Sequence, residues 1–351
     1  MPFLIENFKC TGCMACKQIC PRKCIVEKKD NLGNLHPIIE EKNCIQCGLC
    51  TSVCPEINLK NINFKNINNA YAAWSLNKKT RSSSASGGLA SEFYYNALQQ
   101  GYWISGVEYA DKFRVVHSLS KDEKKVKEYR QSKYVFSDTD DIYIKIKQKL
   151  DCNEKVLFIS LPCKIAGLLL YLKKEYKNLL TVDIVCHGTP PYQNLDEHIQ
   201  SFDCSNKTKK LRFRYDNEFV FELKSSEGKP IYAKKGLQDA YLAAFLKGLN
   251  YRMSCYNCSY ARKERISDIT ISDFWGLGSD LEFNHPYTGA ISAVLINSKK
   301  GAEFFDTCKS NLFVEERPIW EAIKGNSQLR LPTIMPSNRK QFEKLYSELG
   351  F

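Results

Sequence analysis

CTGCMACKQICP (Cys10 to Pro21) and CIQCGLCTSVCP (Cys44 to Pro55) are two copies of one spacing, C-x2-C-x2-C-x3-C-P. Short loops between the first three cysteines let their thiolates converge on three irons of one cubane. The fourth, ahead of a proline that turns the chain away, points at a second cluster. The expected ligands are therefore Cys10, Cys13, Cys16 and Cys54 for one 4Fe–4S cluster, and Cys44, Cys47, Cys50 and Cys20 for the other. A chain with such a pair passes electrons.

The doubled run resembles that of bacterial double-cluster ferredoxins, and residues 1–58 are expected to form such a module. A disulfide framework would need an exported chain, yet MPFLIEN has no basic region followed by an apolar core. Zinc knuckles come as separated C-x2-C pairs, often with histidine, rather than as three cysteines at one repeated spacing. Cys24 has no partner at motif spacing and is expected to be a buried thiol.

With 351 residues, 43% of them hydrophobic, the chain can build two or three domains of ordinary soluble composition. No apolar stretch reaches membrane length; the best candidate, Ile165 to Leu172, reads as a core helix. Sixteen cysteines and oxygen-sensitive clusters point to a reducing cytoplasm. The formal charge of +12 overstates the basicity of the loaded protein. Each cluster with its thiolates carries roughly −2, and a dinucleotide pyrophosphate removes about two more positive charges. Basic runs at Lys207–Arg214 and Arg262–Arg265 suit either solvated surface or docking of an acidic ferredoxin or a polyanionic coenzyme. No nucleic-acid motif accompanies them.

Residues 59–70 read as an asparagine-rich linker. YAAWSL (71–76) reads as a strand and 80–88 as a polar loop, with Ser86 able to cap a helix over 89–100. Further strands are expected at 102–109, 113–118, 155–161, 179–185, 210–215, 219–224, 269–271 and 293–297, the first two as a hairpin. Helices are expected at 138–150 and 168–176. The alternation predicts an α/β or α+β core, a mixed sheet wrapped by helices, in two parts over 71–150 and 151–351.

Eight cysteines remain. Cys163 follows the strand at 155–161, Cys186 follows that at 179–185, and Cys255 with Cys258 forms a C-x2-C. Parallel neighbouring strands would bring Cys163 and Cys186 to one sheet edge, where the C-x2-C loop completes four ligands. Spacing alone leaves a cluster, a zinc ion and unliganded core thiols all open. Cys152, Cys204 and Cys308 lack motif context and are expected to be structural.

Residues 71 to 313 resemble the coenzyme F-420 hydrogenase/dehydrogenase beta-subunit family. The matching pieces are Ser86-Gly87-Gly88, Ser132-Lys133-Tyr134 before Phe136-Ser137, Leu161-Pro162-Cys163, Asp183 through Gly188, Cys255-Tyr256-Asn257-Cys258, and Ile271 through Gly276. The resemblance implies FAD and a further 4Fe–4S cluster on Cys163, Cys186, Cys255 and Cys258, three clusters in all. It makes Ser86, Gly87, Gly88, Lys133, Tyr134, Ser137 and His187 candidate FAD-binding residues. Glycines at a helix N-terminus suit a phosphate, Lys133 can neutralise pyrophosphate or bond the flavin ring, and Tyr134 can pack beside it. The plainer alternatives are a tight turn at Gly87-Gly88, a surface lysine at 133 and a satisfied core histidine at 187. Gly276 and Gly278 give part of a dinucleotide fingerprint that breaks at Leu281, so no Rossmann site is read there. Two departures stand out. Lys164 replaces the glutamine common after Pro-Cys in relatives, and the N-terminal module, absent from some hydrogenase beta subunits, points to dehydrogenase-type members that connect to ferredoxin.

The resulting expectation is an iron–sulfur flavoprotein oxidoreductase. FAD would exchange a hydride with a small molecule, coenzyme F-420 first among them, and the clusters would pass single electrons to or from ferredoxin or a similar acidic carrier. The alternatives are a non-catalytic relay subunit of a larger complex, or a reductase of a polysaccharide precursor or other organic substrate. No catalytic acid or base is marked, and neither a nucleic-acid partner nor a membrane span is expected.

Overall fold

The computed structural model describes residues 3–202, 208–215, 217–287 and 289–351, so Cys204 and Lys207 lie outside the described residues. Each cysteine run folds into one short helix, Ala15–Ile19 and Leu49–Ser52, entered through a left-handed residue, Met14 or Gly48. Between the runs β1 (Ile25–Lys29) and β2 (Leu35–Ile39) pair antiparallel, with Ile25 opposite Ile39. Asp30 builds their turn, its carboxylate accepting from the amides of Leu32 and Asn34. The stretch after the module lies on the rest of the chain. Lys65 bridges Arg265, and the Arg262 guanidinium sits 4.3 Å from the Phe64 ring.

Six strands follow: β3 (Asn69–Ser75), β4 (Trp103–Tyr109), β5 (Val115–Ser120), β6 (Ser137–Asp138), β7 (Val156–Ser160) and β8 (Leu179–Ile184). Next come β9 (Lys210–Tyr215), β10 (Glu218–Lys224) and β11 (Pro230–Lys235), a separate antiparallel sheet. Then β12 (Ile269–Asp273), β13 (Ser292–Ile296) and β14 (Leu312–Arg317) join the first six in a nine-stranded sheet ordered β14-β3-β13-β12-β8-β7-β4-β5-β6. Its centre, β12-β8-β7-β4, is parallel. Parallel strands need cover on both faces, and β7 (VLFIS) is buried throughout. Leu157 and Ile159 pack towards helices Leu89–Gln99 and Lys299–Cys308; Val156 and Phe158 pack towards Ile142–Asp151 and Pro162–Leu172.

Several expectations need correction. Lys78–Ser82 is helical rather than loop, because Asn77 Oδ1 caps the amides of Lys79 and Thr80. Ser86 does not cap the next helix: its hydroxyl donates to Ile291 O, and Gly88 at φ 91° takes the N-cap. The helix expected from 168 starts at Pro162, whose missing N–H is harmless in a first turn, so Cys163 is helical. The helix expected from 138 starts at Ile142, after β6. β9 and β10 belong to the small sheet, and β1, β2, β11 and β14 are strands the sequence does not lead one to expect. Cys24 and Cys308 are buried, but Cys152 is exposed at a helix C-cap and is no core thiol. Nor are the basic runs simply surface, since Arg214 and Arg265 are buried. Among the described residues no helix is long and apolar enough to cross a membrane.

His117, on β5, is buried with Nε2 2.8 Å from Ser160 Oγ and Nδ1 3.0 Å from Asp138 O. Burial, then the charge of Lys164, pulls its pKa from 6.5 down to about 3. The unfolded chain therefore takes up a proton that the folded chain refuses, and stability falls as pH drops from 6.5 towards 3. We expect His117→Gln to flatten that fall by up to ~1.4 kcal/mol per pH unit in urea unfolding between about pH 5 and 6.5. Equal slopes in both proteins would assign the pH dependence to other groups.

Candidate functional site

Three groups of cysteines form, two in the N-terminal module. Cys10, Cys13, Cys16 and Cys54 come together. Burial, and after it the charges of Cys13, Cys10 and Cys54, pushes Cys16 well up, and burial with Cys13 and Cys10 pushes Cys54 up to about 12. Cys20, Cys44, Cys47 and Cys50 line a second, small cavity of about 20 Å³. Cys24 lines it too, its Sγ 3.4 Å from that of Cys20. The fourth cysteine of each run thus stands with the first three of the other.

The third group follows from strand register. β7 and β8 are parallel neighbours with Ser160 beside Asp183, so Cys163 and Cys186 emerge at one edge. Cys255 and Cys258 sit at the turn Met253–Asn257, and all four line a cavity of about 40 Å³. Burial pushes all four thiols up, Cys258 to about 12. Bringing four such thiols to the thiolate together is costly unless a metal takes their charge. Among the described residues no three His, Cys, Asp or Glu side chains form a group that could hold a metal ion; the cysteines ring cavities.

Arg265 ties this third site together. Fully buried, it donates to Tyr260 O, Arg262 O and Thr270 Oγ1 and pairs with Asp183 at 2.9 Å. The chain just after Cys258 is thereby locked to the strand just before Cys186. RKER reads as a surface run, and nothing in it marks Arg265 as different.

The same edge extends across the large sheet. Ser292 of β13 lies beside Ala73 of β3 and Asp273 of β12, and Val115 of β5 beside Tyr109 of β4 and Ser137 of β6. Asp273, Cys186, Cys163 and Ser137 therefore stand along one edge with the Ser86–Gly88 turn, at the carboxyl ends of the parallel strands, where α/β sheets hold ligands. Gly87 is demanded by packing: a Cβ would lie 2.6 Å from Ala73 O, and its amide donates to Ser292 Oγ. Lys133 donates to Glu128 O and Arg130 O over the Tyr109 ring, and burial pulls its pKa down to about 8. Tyr134 stacks on Phe245 at 4.4 Å, and its hydroxyl accepts from Arg214 at 3.4 Å. His187 is exposed at the third cysteine cavity, so it is not a core histidine.

Sequence reasoning missed several polar groups here. Arg214 pairs with Asp273 at 3.0 Å, and Arg81 lies over the Trp74 ring at 4.6 Å. Arg81 Nε, Arg214 Nε, Ser272 Oγ and Asp273 Oδ1 are buried with no hydrogen-bond partner among the described residues. That supply of unmet donors and acceptors fits the polar parts of an organic cofactor. Lys133 also enters a groove of about 1290 Å³ lined by nine Lys or Arg and four Asp or Glu, Lys79, Arg130, Lys210 and Arg212 among them, a balance that favours an anionic occupant.

A doubled cysteine module joined to a cysteine cavity at the ends of a parallel sheet defines an iron–sulfur electron-transfer protein of the oxidoreductase type. Residues 9–59 match the 4Fe–4S dicluster domain, and residues 153–322 match the C-terminal part of the beta subunit in the coenzyme F-420 hydrogenase/dehydrogenase family. The chain thus carries a domain of that beta-subunit family behind a 4Fe–4S dicluster domain. The family match begins at 153, so Ser86–Gly88 and Ser132–Ser137 lie outside it. A ferredoxin-like protein in nif region from Bradyrhizobium diazoefficiens is 36% identical over 61 residues, 16% of this chain and 76% of that protein. In fold, the chain is similar to one in the xenon-derivatised F-420-reducing nickel–iron hydrogenase complex from Methanosarcina barkeri. The TM-score is 0.52 at 16% identity, covering 82% of this chain and 91% of that one.

Proposed function

We propose that the chain is an FAD- and iron–sulfur-dependent oxidoreductase that exchanges a hydride with a small organic molecule, coenzyme F-420 foremost, and single electrons with ferredoxin or a similar acidic carrier. The observation that carries this reading is the adjacency of two cysteine groups. Thr11, between Cys10 and Cys13, lines the same cavity as Cys163, Cys186, Cys255 and Cys258. In this reading the three cysteine groups are the ligands of three 4Fe–4S clusters. The bound groups supply the redox chemistry, a flavin taking two electrons and each cluster one. The chain's own residues bind and orient. Lys133 and Arg130 offer cations for a pyrophosphate, while Arg81, Arg214 and Asp273 offer unmet hydrogen-bonding atoms beside Ser86–Gly88, Tyr134 and Ser137. His187 lines the third cysteine cavity and feels the charge of Asp273 on the same edge. Cys47 is exposed, which puts the second cysteine cavity within reach of a carrier protein.

The test is the iron and flavin content of full-length protein purified and reconstituted without oxygen. We expect about twelve irons and one FAD per chain. About eight irons and no flavin would overturn the reading and leave a ferredoxin module fused to a domain that holds neither group.

A further inference from the structure

Four of the largest fully buried side chains are cations: Lys164, Arg252, Arg265 and Arg339. Two have a carboxylate against them, Asp183 for Arg265 and Glu343 for Arg339. Among the described residues Lys164 and Arg252 have none within salt-bridge distance. Lys164 Nζ donates to Gly12 O at 2.7 Å and lies 4.0 Å from the centre of the Phe136 ring. The charges that act on Lys164 are, largest first, those of its neighbour Cys163, of Cys13, of Arg252 and of Asp138, and Asp138 is held by Arg114 at 2.7 Å. Arg252, its guanidinium 5.0 Å from the centre of the same ring, donates to Cys10 O and Leu35 O and meets His36 Nδ1, whose Nε2 faces Asp30. Both cations therefore reach the carbonyls of one loop, Cys10 to Cys13. One turn beyond Lys164, Gly167 lies so close that a Cβ there would be 2.9 Å from Cys13 Cβ.

A buried charge without a counter-ion is strongly unfavourable. We infer that the countercharge to Lys164 is the cluster held by Cys10, Cys13, Cys16 and Cys54, and that Lys164 is a positioning residue that raises the potential of that cluster. The inference rests on the ligand reading above. A 4Fe–4S centre with four thiolates carries roughly −2, and adding one electron from a low-potential reductant takes it to about −3 with no proton moved. A fixed cation in a low-dielectric site favours the more negative state.

The test compares Lys164→Met, Lys164→Gln and Lys164→Arg in the full chain. Midpoint potentials come from dithionite titrations followed by electron paramagnetic resonance. Met and Gln are expected to lower one cluster's potential by at least a tenfold change in its reduction equilibrium, about 59 mV for one electron, while Arg keeps it near wild type. The iron-free chain gives a second readout: without the countercharge, Lys164→Met should unfold at higher urea than wild type. A potential restored by Gln would overturn the inference in favour of a hydrogen-bond effect, and so would an iron-free Met variant less stable than wild type, even if that variant takes up no iron. Failure of the ligand reading is seen separately, as full iron retained in Cys13→Ala.

Discussion

Arg265→Met is expected to cost about 3–5 kcal/mol of unfolding free energy and to empty the third cysteine site. Removing the guanidinium strands Asp183, which is 0% exposed and already has Oδ2 without a partner. It also frees the carbonyls of Tyr260 and Arg262 that hold the segment after Cys258. Iron content should fall by about four per chain while the two N-terminal clusters persist. Asp183→Leu in the same chain should recover much of the stability, because the uncompensated charge rather than the missing contact dominates the loss. Urea unfolding of the three proteins, with iron assays, checks this. A single variant within about 1 kcal/mol of wild type with full iron would show that the clamp is dispensable.

Crossed ligation predicts a pattern of non-additive losses. Cys54→Ala is expected to remove about four irons, as is Cys16→Ala, and the double variant should lose no more than either alone. Cys50→Ala with Cys54→Ala should lose about eight, although the two cysteines belong to one run. If each run instead held its own cluster, the outcomes of the two double variants would be exchanged. Cys24→Ala should retain all the iron, since Cys20 already serves the cavity that Cys24 lines.

The cysteine framework was legible because its chemistry is written locally. Spacing of three residues and a following proline dictate convergence, and apolar runs at 155–161 and 179–185 place Cys163 and Cys186 side by side once the strands are parallel. What stayed hidden is what tertiary contact decides. Arg214, Arg265, Arg252 and Lys164 look like any basic residue until burial gives each its partner. Ser86 precedes a helix, as a cap would, yet the competing acceptor Ile291 O comes from the residue just before β13, 205 residues away. β9 and β10 alternate like strands of any sheet, and nothing in their residues tells that they leave the main one.

β3 pairs with β13 and β14, so the large sheet joins its early strand to its last two. On a ribosome making ~5–20 residues per second, Cys54 is synthesised roughly 10–50 s before Arg317 at the end of β14. The dicluster module is thus complete while the sheet cannot yet close. On the ligand reading proposed above, Cys10, Cys13 and Cys16 stay open to iron until helix Pro162–Leu172 settles against Cys13.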